Sequence, residues 1–527
     1  MKKLPVGIQT FKDIINANNL YVDKTKDIYN LVSMNDKTYF FLSRPRRFGK
    51  SLLISTLEEI FLGNQKYFKD LYIYDKIEWK KYPVIRIDFN ALTYTEGTEG
   101  FKRTLTNHIK DTFNKYNIEV KGEDYKELFK NLIIELSNID KVVILIDEYD
   151  KPITEVIEDI ELTKTNRSIL KSFYETIKSC DEYIKFCFLT GVSKFSKVSV
   201  FSSLNNLTDL TLDPRFPTLT GITEEELYRD FDEHIKSLAE KLNKTKEETK
   251  QVLKSWYNGY SWNGKDFVYN PFSILNVLSV QQINNYWFKS GTTTFLIKLI
   301  KEKNIDVKGL ENFVASDEML DSFEIENIKV ESLLFQTGYL TIKSIITEDL
   351  GFSKYYLSYP NIEVKESFLN NILRNLSDNR TDSRIVVSEL ISSIINNDLD
   401  NFFDILKYNI FAQIPNEIFM SDKEAYYHTI IYLVLTLIGV RIKAEIQTNL
   451  GRIDAVIETN THIYIFEFKM SSTKKALKQI EDKKYYEQYL LSNKEIVLIG
   501  VKFDTKSRNI KNWGLKSIKN NYSIYSL

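Results

Sequence analysis

The 527 residues contain two cysteines, Cys180 and Cys187, and four scattered histidines, His108, His234, His428 and His462. Two thiols cannot build a disulfide framework, and no zinc-ligand spacing joins them to the histidines. A secreted, disulfide-stapled scaffold is excluded, and any metal chemistry should use a hard cation held by oxygen. Glycine and proline are also sparse, at 18 and 9, which argues against long linkers and disordered tails. The longest apolar stretch, about Thr429 to Val440, is too short to span a bilayer, and no apolar run follows Lys2 and Lys3. The expectation is a cytoplasmic chain with no membrane contact. Charge of either sign is in no excess: 71 Lys and Arg against 72 Asp and Glu give a net of −1. No global basic field would draw nucleic acid, so such a site must be a local patch.

What is present is length and order. A chain this long exceeds the roughly 250–300 residues at which one core stops growing, and its pattern predicts three domains. Strand patterns at Thr38–Leu42, Val84–Phe89, Val142–Ile146 and Ile184–Leu189 alternate with helical patterns at Ser51–Phe61, Phe101–Leu136 and Arg167–Ser179. This α/β alternation predicts a parallel sheet with helices on both faces over residues 1–223. Residues 224–420 read as a helical middle domain, a lid and linker, with short hairpin-like strands near 325–360 and aromatic breaks at Trp256–Trp262 and Tyr269–Phe272. Residues 421–527 read as a small α/β domain: helix Glu424–Ile438, strands Arg441–Thr448, Arg452–Glu458 and His462–Met470, helix Thr473–Leu490 and strand Glu495–Phe503.

Ser43-Arg44-Pro45-Arg46-Arg47-Phe48-Gly49-Lys50-Ser51 lies between a predicted strand and a helix, where a P-loop would set backbone N–H groups and a helix N-terminus against phosphate. Arg46, Arg47, Gly49, Lys50 and Ser51 are the candidate nucleotide contacts, with Lys50 reaching the β/γ-phosphates and Ser51 holding Mg²⁺. The pattern is imperfect, because Arg44 stands where the first loop glycine belongs and Pro45 has no N–H to donate. A second element comes from Val142-Val143-Ile144-Leu145-Ile146, a fully apolar strand that runs into Asp147-Glu148. In an NTPase, Asp147 would bind the Mg²⁺ shell and Glu148 would orient or activate the attacking water. A third strand ends in Thr190-Gly191-Val192-Ser193, and Thr190 or Ser193 could present a hydroxyl toward the γ-phosphate. Arg167 and Arg215 are candidates for a charge-stabilising arginine acting in cis or from a neighbouring subunit of a homo-oligomer.

These residues resemble a known family. Val6-Gly7-Ile8 with Phe11, Tyr21-Val22-Asp23-Lys24-Thr25, Arg44–Ser51, Leu145–Asp150, Trp256–Tyr260 and Tyr269–Phe272 are similar to AAA-ATPase-like proteins with a C-terminal PD-(D/E)xK nuclease-like domain. The likeness covers most of the chain, and Arg44 in place of glycine looks like a feature of that family.

A two-residue turn at Asn460-Thr461 would pair the strand from Arg452 with the strand from His462 so that Asp454 faces Glu467. Period-two alternation puts Glu467 and Lys469 on one face, with Tyr464, Phe466 and Phe468 on the other. Asp454 and Glu467 could then bind Mg²⁺ while Lys469 orients water at a phosphodiester. A surface Glu–Lys pair would explain Glu-x-Lys alone, but this strand is apolar on both faces and an acid there needs a partner or a metal. The element order resembles the restriction-endonuclease-like PD-(D/E)xK fold, and Asp454, Glu467 and Lys469 match its catalytic positions. The resemblance further implies a catalytic role for Gln479 and makes Glu424 a candidate additional ligand. Residues 441–527 carry 16 Lys and Arg against 9 Asp and Glu, a local net of +7. Lys474, Lys475, Lys478, Lys483 and Lys484, with Tyr485 and Tyr486, suit phosphate neutralisation and base stacking.

The expected protein uses ATP and Mg²⁺, its ATPase state controlling a DNA nuclease, and the resemblance implies a role in defence against, or association with, mobile DNA. Two alternatives stay open: a nucleotide-dependent switch whose C-terminal domain binds nucleic acid or protein without cleavage, and a nuclease whose N-terminal module binds nucleotide without turnover.

Overall fold

The computed structural model describes residues 1–34, 38–94, 96–194, 204, 206–287, 309–321, 329–348, 351–376, 383–414, 423–439, 443–445 and 455–518. These fall into two compact units, 1–305 with 309–364, and 306–308 with 365–527. The expected boundary at 223/224 therefore lies inside the first unit, and that at 420/421 inside the second.

Unit 1 is built on a five-stranded parallel sheet of β1 (Tyr39–Ser43), β2 (Val84–Asp88), β3 (Val142–Asp147), β4 (Ile184–Gly191) and β5 (Thr208–Asp209), in the order β2-β3-β4-β1-β5. Every residue of β1 and β3 is buried, as parallel strands covered on both faces require. The order places β4 between the strand that feeds the loop and the strand that ends in acids. Helix α1 (Lys50–Phe61) follows β1 directly, because Gly49 takes the left-handed conformation (φ 84°) that reverses the chain.

The helical stretch expected over Phe101–Leu136 is two helices, Gly97–Lys115 and Tyr125–Ser137. The break falls where Asn117 (φ 54°) and Gly122 (φ 123°) leave helical backbone and Asp124 caps the next helix.

Residues 224–280 are largely helical and share a core with the N-terminal segment: Leu20 packs with Ile222, Leu227, Phe231, Leu253 and Tyr257. That shared core keeps them in unit 1. Short strands β6 (Ile222–Thr223) and β7 (Val268–Tyr269) pair antiparallel, and α2 (Pro271–Val280) follows. The strands β8 (Phe313–Ser316), β9 (Thr341–Thr347) and β10 (Ser353–Ser358) form an antiparallel sheet, with α3 (Val330–Thr337) before β9. The next helix, α4, spans Ile362–Leu376.

Unit 2 holds a mixed sheet in the order β11-β12-β13-β14-β15: β11 (Lys443–Glu445), β12 (Ala455–Glu458), β13 (His462–Lys469), β14 (Glu495–Asp504) and β15 (Asn509–Ile518). The hairpin has the expected register, with Glu458 opposite Ile463 and Ala455 opposite Phe466 around the two-residue turn. β15 was not anticipated from the sequence. One face of β13 packs on helix α5 (Thr473–Asp482) through Ile463, Ile465 and Ile480. The other meets residues 383–413: the Tyr464 hydroxyl donates to the Ile394 carbonyl, and Phe402 lies 6.1 Å from Phe466. Those contacts join helices expected in the linker to the C-terminal sheet. Helix α5 stops at Asp482 rather than Leu490, with Lys484 at φ 54°. Among the described residues no helix is long and apolar enough to cross a membrane.

The aromatic break at Trp256–Trp262 is held by a close approach. A Cβ on Gly259 (φ 111°) would sit 2.1 Å from the Pro360 carbonyl oxygen, and the half-buried Lys343 ammonium donates to that same oxygen at 2.9 Å. Gly259→Ala should therefore cost roughly 2–5 kcal/mol, combining backbone strain with a steric clash. Urea unfolding of the variant against the wild type checks this.

Candidate functional site

In unit 1 a cavity of about 480 Å³ opens over the carboxyl ends of β1, β3 and β4, where ligands of open α/β sheets bind. Its lining includes Arg46, Arg47, Gly49, Lys50, Ser51, Glu148 and Ser193, which had been proposed from sequence. Lys50 is buried, with its Nζ 3.2 Å from the Pro45 carbonyl and 3.4 Å from Glu148 Oε1. The ammonium thus sits on the loop's own acceptors, beside the acid at the end of β3. Arg47 and Gly49 both have left-handed backbone, at φ 69° and 84°, a conformation that turns neighbouring N–H groups into an anion-binding concavity.

Asp147 is fully buried; one oxygen accepts from the Glu148 N–H at 3.1 Å, and the Ser51 hydroxyl lies near enough to favour the charged carboxylate. Its Oδ2 has no hydrogen-bond partner among the described residues. Burial, and then the charge of Glu148, push its carboxyl up to about 6. An orphaned carboxylate oxygen beside a serine hydroxyl fits a divalent cation, which would supply the missing charge. Glu148 stands at φ 50°, a left-handed conformation that costs a non-glycine residue about 1–2 kcal/mol.

Sequence reasoning gave Tyr149 and Asp150 no role, yet they fasten β3 to the end of β4. The buried Asp150 carboxylate accepts from the Val192 and Ser193 N–H groups, and the Tyr149 hydroxyl donates to the Ser193 carbonyl at 2.7 Å. A Cβ on Gly191 would lie 2.4 Å from Asp150 Oδ1, so only glycine allows the approach. The pair Thr190 or Ser193 is thereby separated. Ser193 lines the cavity, while Thr190 is buried and its hydroxyl donates to the Leu42 carbonyl across the β1–β4 ladder.

Arg44 points away from the cavity. Its buried guanidinium donates to the carbonyls of Ser43, Thr211 and Phe216 and lies 3.9 Å over the Trp262 ring. Burial pulls its pKa down to about 9, with Asp209 opposing. The residue at the first-glycine position is thus a structural anchor. Neither Arg167 nor Arg215 lines the cavity; Arg215 pairs with Asp213 at 2.6 Å. Phe272 and Trp287, from stretches with no assigned contact, do line it, and the Arg47 guanidinium lies 4.7 Å over the Phe272 ring.

In unit 2, Glu467 is fully buried on β13, Lys469 Nζ lies 2.8 Å from its Oε1, and the Gln479 amide donates to the same oxygen. The approach of Gln479 depends on Gly500, which is opposite Glu467 on β14. A Cβ there would lie 2.6 Å from the Thr473 carbonyl oxygen, so the glycine lets α5 settle onto the sheet. Asp454, the predicted partner of Glu467, lies outside the described residues, which resume at Ala455. Glu424 lies on the helix Lys423–Gly439. Among the described residues no group of three or more His, Cys, Asp or Glu could hold a metal. Lys474, Lys475 and Lys478 are exposed on α5, while Lys484 pairs with Glu487. Tyr485 and Tyr486, read as stacking residues, instead pack partly buried against the core under α5.

A family model described as Predicted AAA-ATPase matches residues 5–201, and one described as PD-(D/E)XK nuclease superfamily matches residues 422–513. A protein of Azotobacter chroococcum mcd 1, described as an uncharacterized protein in the vnfD 5' region, is 35% identical over 529 aligned positions, covering 98% of this chain and 99% of its own. The chain belongs to the AAA-ATPase-like family with a C-terminal PD-(D/E)XK nuclease superfamily domain. The ATPase-like match contributes the loop and acid side of the cavity, residues 271–339 complete its wall, and the nuclease-like match contains Glu467. The solved structure of the Aeropyrum pernix ORC2 protein (ADPNP-ADP complexes) shares 14% identity, over 64% of this chain and 87% of that one, at a TM-score of 0.24.

Two outcomes follow. Because the folded Asp147 holds its proton up to about pH 6 while the unfolded one releases it near 3.8, the group favours folding in acid and loses that contribution as pH rises. Wild type should lose about 1–2 kcal/mol between pH 5 and pH 7 that Asp147→Asn retains, as measured by denaturant unfolding at both values. Arg44→Gly, although closer to the usual loop pattern, should destabilise the protein by about 2–4 kcal/mol, because three carbonyls and a ring lose a buried partner. Thermal unfolding would show it.

Proposed function

We propose that the chain is a Mg²⁺-dependent ATPase that controls a Mg²⁺-dependent nuclease acting on DNA. The observation that carries the nuclease half is the Glu467 carboxylate, buried on a central strand and met by Lys469 and Gln479. That grouping is suited to hold a cation through Glu467, together with Asp454, while Lys469 orients water beside a phosphodiester. When bound, Mg²⁺ would supply positive charge for the scissile phosphate.

In the ATPase half, Ser51 and Asp147 would hold the nucleotide's Mg²⁺, and Lys50 would leave the Pro45 carbonyl for the β/γ-phosphates. Glu148 would position the attacking water, and Ser193, held by Asp150 and Tyr149, would contact the γ-phosphate. Arg46 and Arg47 at the cavity wall supply further charge for the phosphates. The exposed lysines of α5 and the local basic excess support DNA as substrate. Defence against mobile DNA is supported by the family resemblance alone.

Cleavage of single-stranded, duplex and branched DNA with Mg²⁺ or Mn²⁺, with and without ATP, tests the reading. Glu467→Ala and Lys469→Ala should each lower cleavage at least about 100-fold while ATP binding persists. Lys50→Ala should abolish ATP binding. Unchanged cleavage in either β13 variant would remove the nuclease site. No cleavage by wild type under any condition would leave a nucleotide-dependent switch.

A further inference from the structure

The loop from β1 into α1 has one glycine, and every residue from Arg44 to Phe48 is met by a residue from later in unit 1. Arg44 lies over Trp262 and Arg47 over Phe272, while Phe48 packs edge-on against Tyr260 and Trp262 at 4.7 and 5.4 Å. Pro45 abuts Gly338 so closely that a Cβ at 338 would lie 2.7 Å from its own. The Arg46 carbonyl accepts from the Trp287 indole N–H at 3.2 Å. Such bracing replaces the freedom that glycines would give with a fixed shape.

Two of these braces lead to one side chain. Glu363, in the first turn of α4, is fully buried and outside the cavity lining. Its Oε1 accepts from the backbone N–H groups of Tyr286 and Trp287, the latter at 2.8 Å, and its Oε2 accepts from the Ser273 hydroxyl at 2.7 Å. Ser273 is in the first turn of α2, next to Phe272. The carboxylate thus fixes the backbone of Trp287 and the helix end that carries Phe272. No lysine or arginine forms an ion pair with Glu363 among the described residues, and burial pushes its carboxyl up to about 7. Keeping an acid there is costly unless its geometry serves the three donors.

We propose that Glu363 is a positioning residue for nucleotide binding, setting Trp287 and α2 so that the Arg46 carbonyl and the Arg47 guanidinium hold the loop in phosphate-ready form. This rests on the reading of the cavity as an ATP site. Preorganisation of this kind raises affinity by lowering the ordering cost on binding.

The test uses the full chain, Mg·ATP as ligand, equilibrium titration and thermal unfolding. Trp287→Phe deletes the indole donor and keeps a ring, so it should weaken Mg·ATP about fivefold while the nucleotide-free protein still unfolds in one transition, at most a few degrees below wild type. Glu363→Ala should weaken binding at least about tenfold, and Glu363→Gln, whose carbonyl still accepts from both backbone N–H groups while its NH2 donates to the Ser273 oxygen, should restore most of it. If Glu363→Ala does not fold, Trp287→Phe and Glu363→Gln decide. Wild-type affinity in Trp287→Phe, or binding by Glu363→Gln as weak as that of a folded Glu363→Ala, overturns the proposal. If wild type binds Mg·ATP and Lys50→Ala does not, such a result sinks the positioning role alone. If wild type does not bind Mg·ATP, the ATP reading fails and this role fails with it.

Discussion

A carboxylate removed from water must find a donor or a cation, and both units are arranged round such a group. In the first, Asp147 ends a strand with no exposed residue, and one backbone N–H meets one of its oxygens and leaves the other over. In the second, Glu467 lies mid-sheet and is met by an ammonium and an amide. Asp147 keeps one oxygen with no hydrogen-bond partner among the described residues, a demand that a cation would meet.

The surrounding residues follow from that demand. Asp150 cannot be solvated either, and it takes the N–H groups of Val192 and Ser193, which draws the end of β4 up to the end of β3. Gly191 is required by that approach, as Gly500 is by the approach of α5 beside Glu467. Each glycine lies beside an acid because another element has to come close there, the Tyr149–Asp150 turn at Gly191 and α5 at Gly500, so the packing on these interior strands and the chemistry of the site are one constraint.

Much of this was legible in the sequence where the signal is local. Buried parallel strands read as unbroken apolar runs, the loop lies between strand and helix, and a two-residue turn fixes a hairpin register, so β1, β3, the loop and the Glu467–Lys469 face all came through. What failed to come through depends on residues far apart in the chain. The side-chain direction of Arg44 is set by carbonyls at 211 and 216 and a ring at 262, and nothing between 44 and 51 reveals them. Likewise, period-3.6 patterns announce the helices of 383–413 but not which sheet they cover, a choice made by Tyr464 and Phe466. The partial burial of Tyr485 and Tyr486 against the core is not announced either, because an aromatic beside lysines looks alike in sequence whether it faces solvent or core.

The braced loop has a consequence for how this sequence can drift. A glycine-rich phosphate loop tolerates change around it, because its shape is set by its own backbone. Here the shape is shared with Trp262, Phe272, Trp287 and Gly338, so a new residue at position 44, 45 or 47 leaves a distant partner mismatched. Related chains should therefore change these positions in pairs, the loop residue together with its aromatic or glycine counterpart, and the long interval between them should vary more freely than either end.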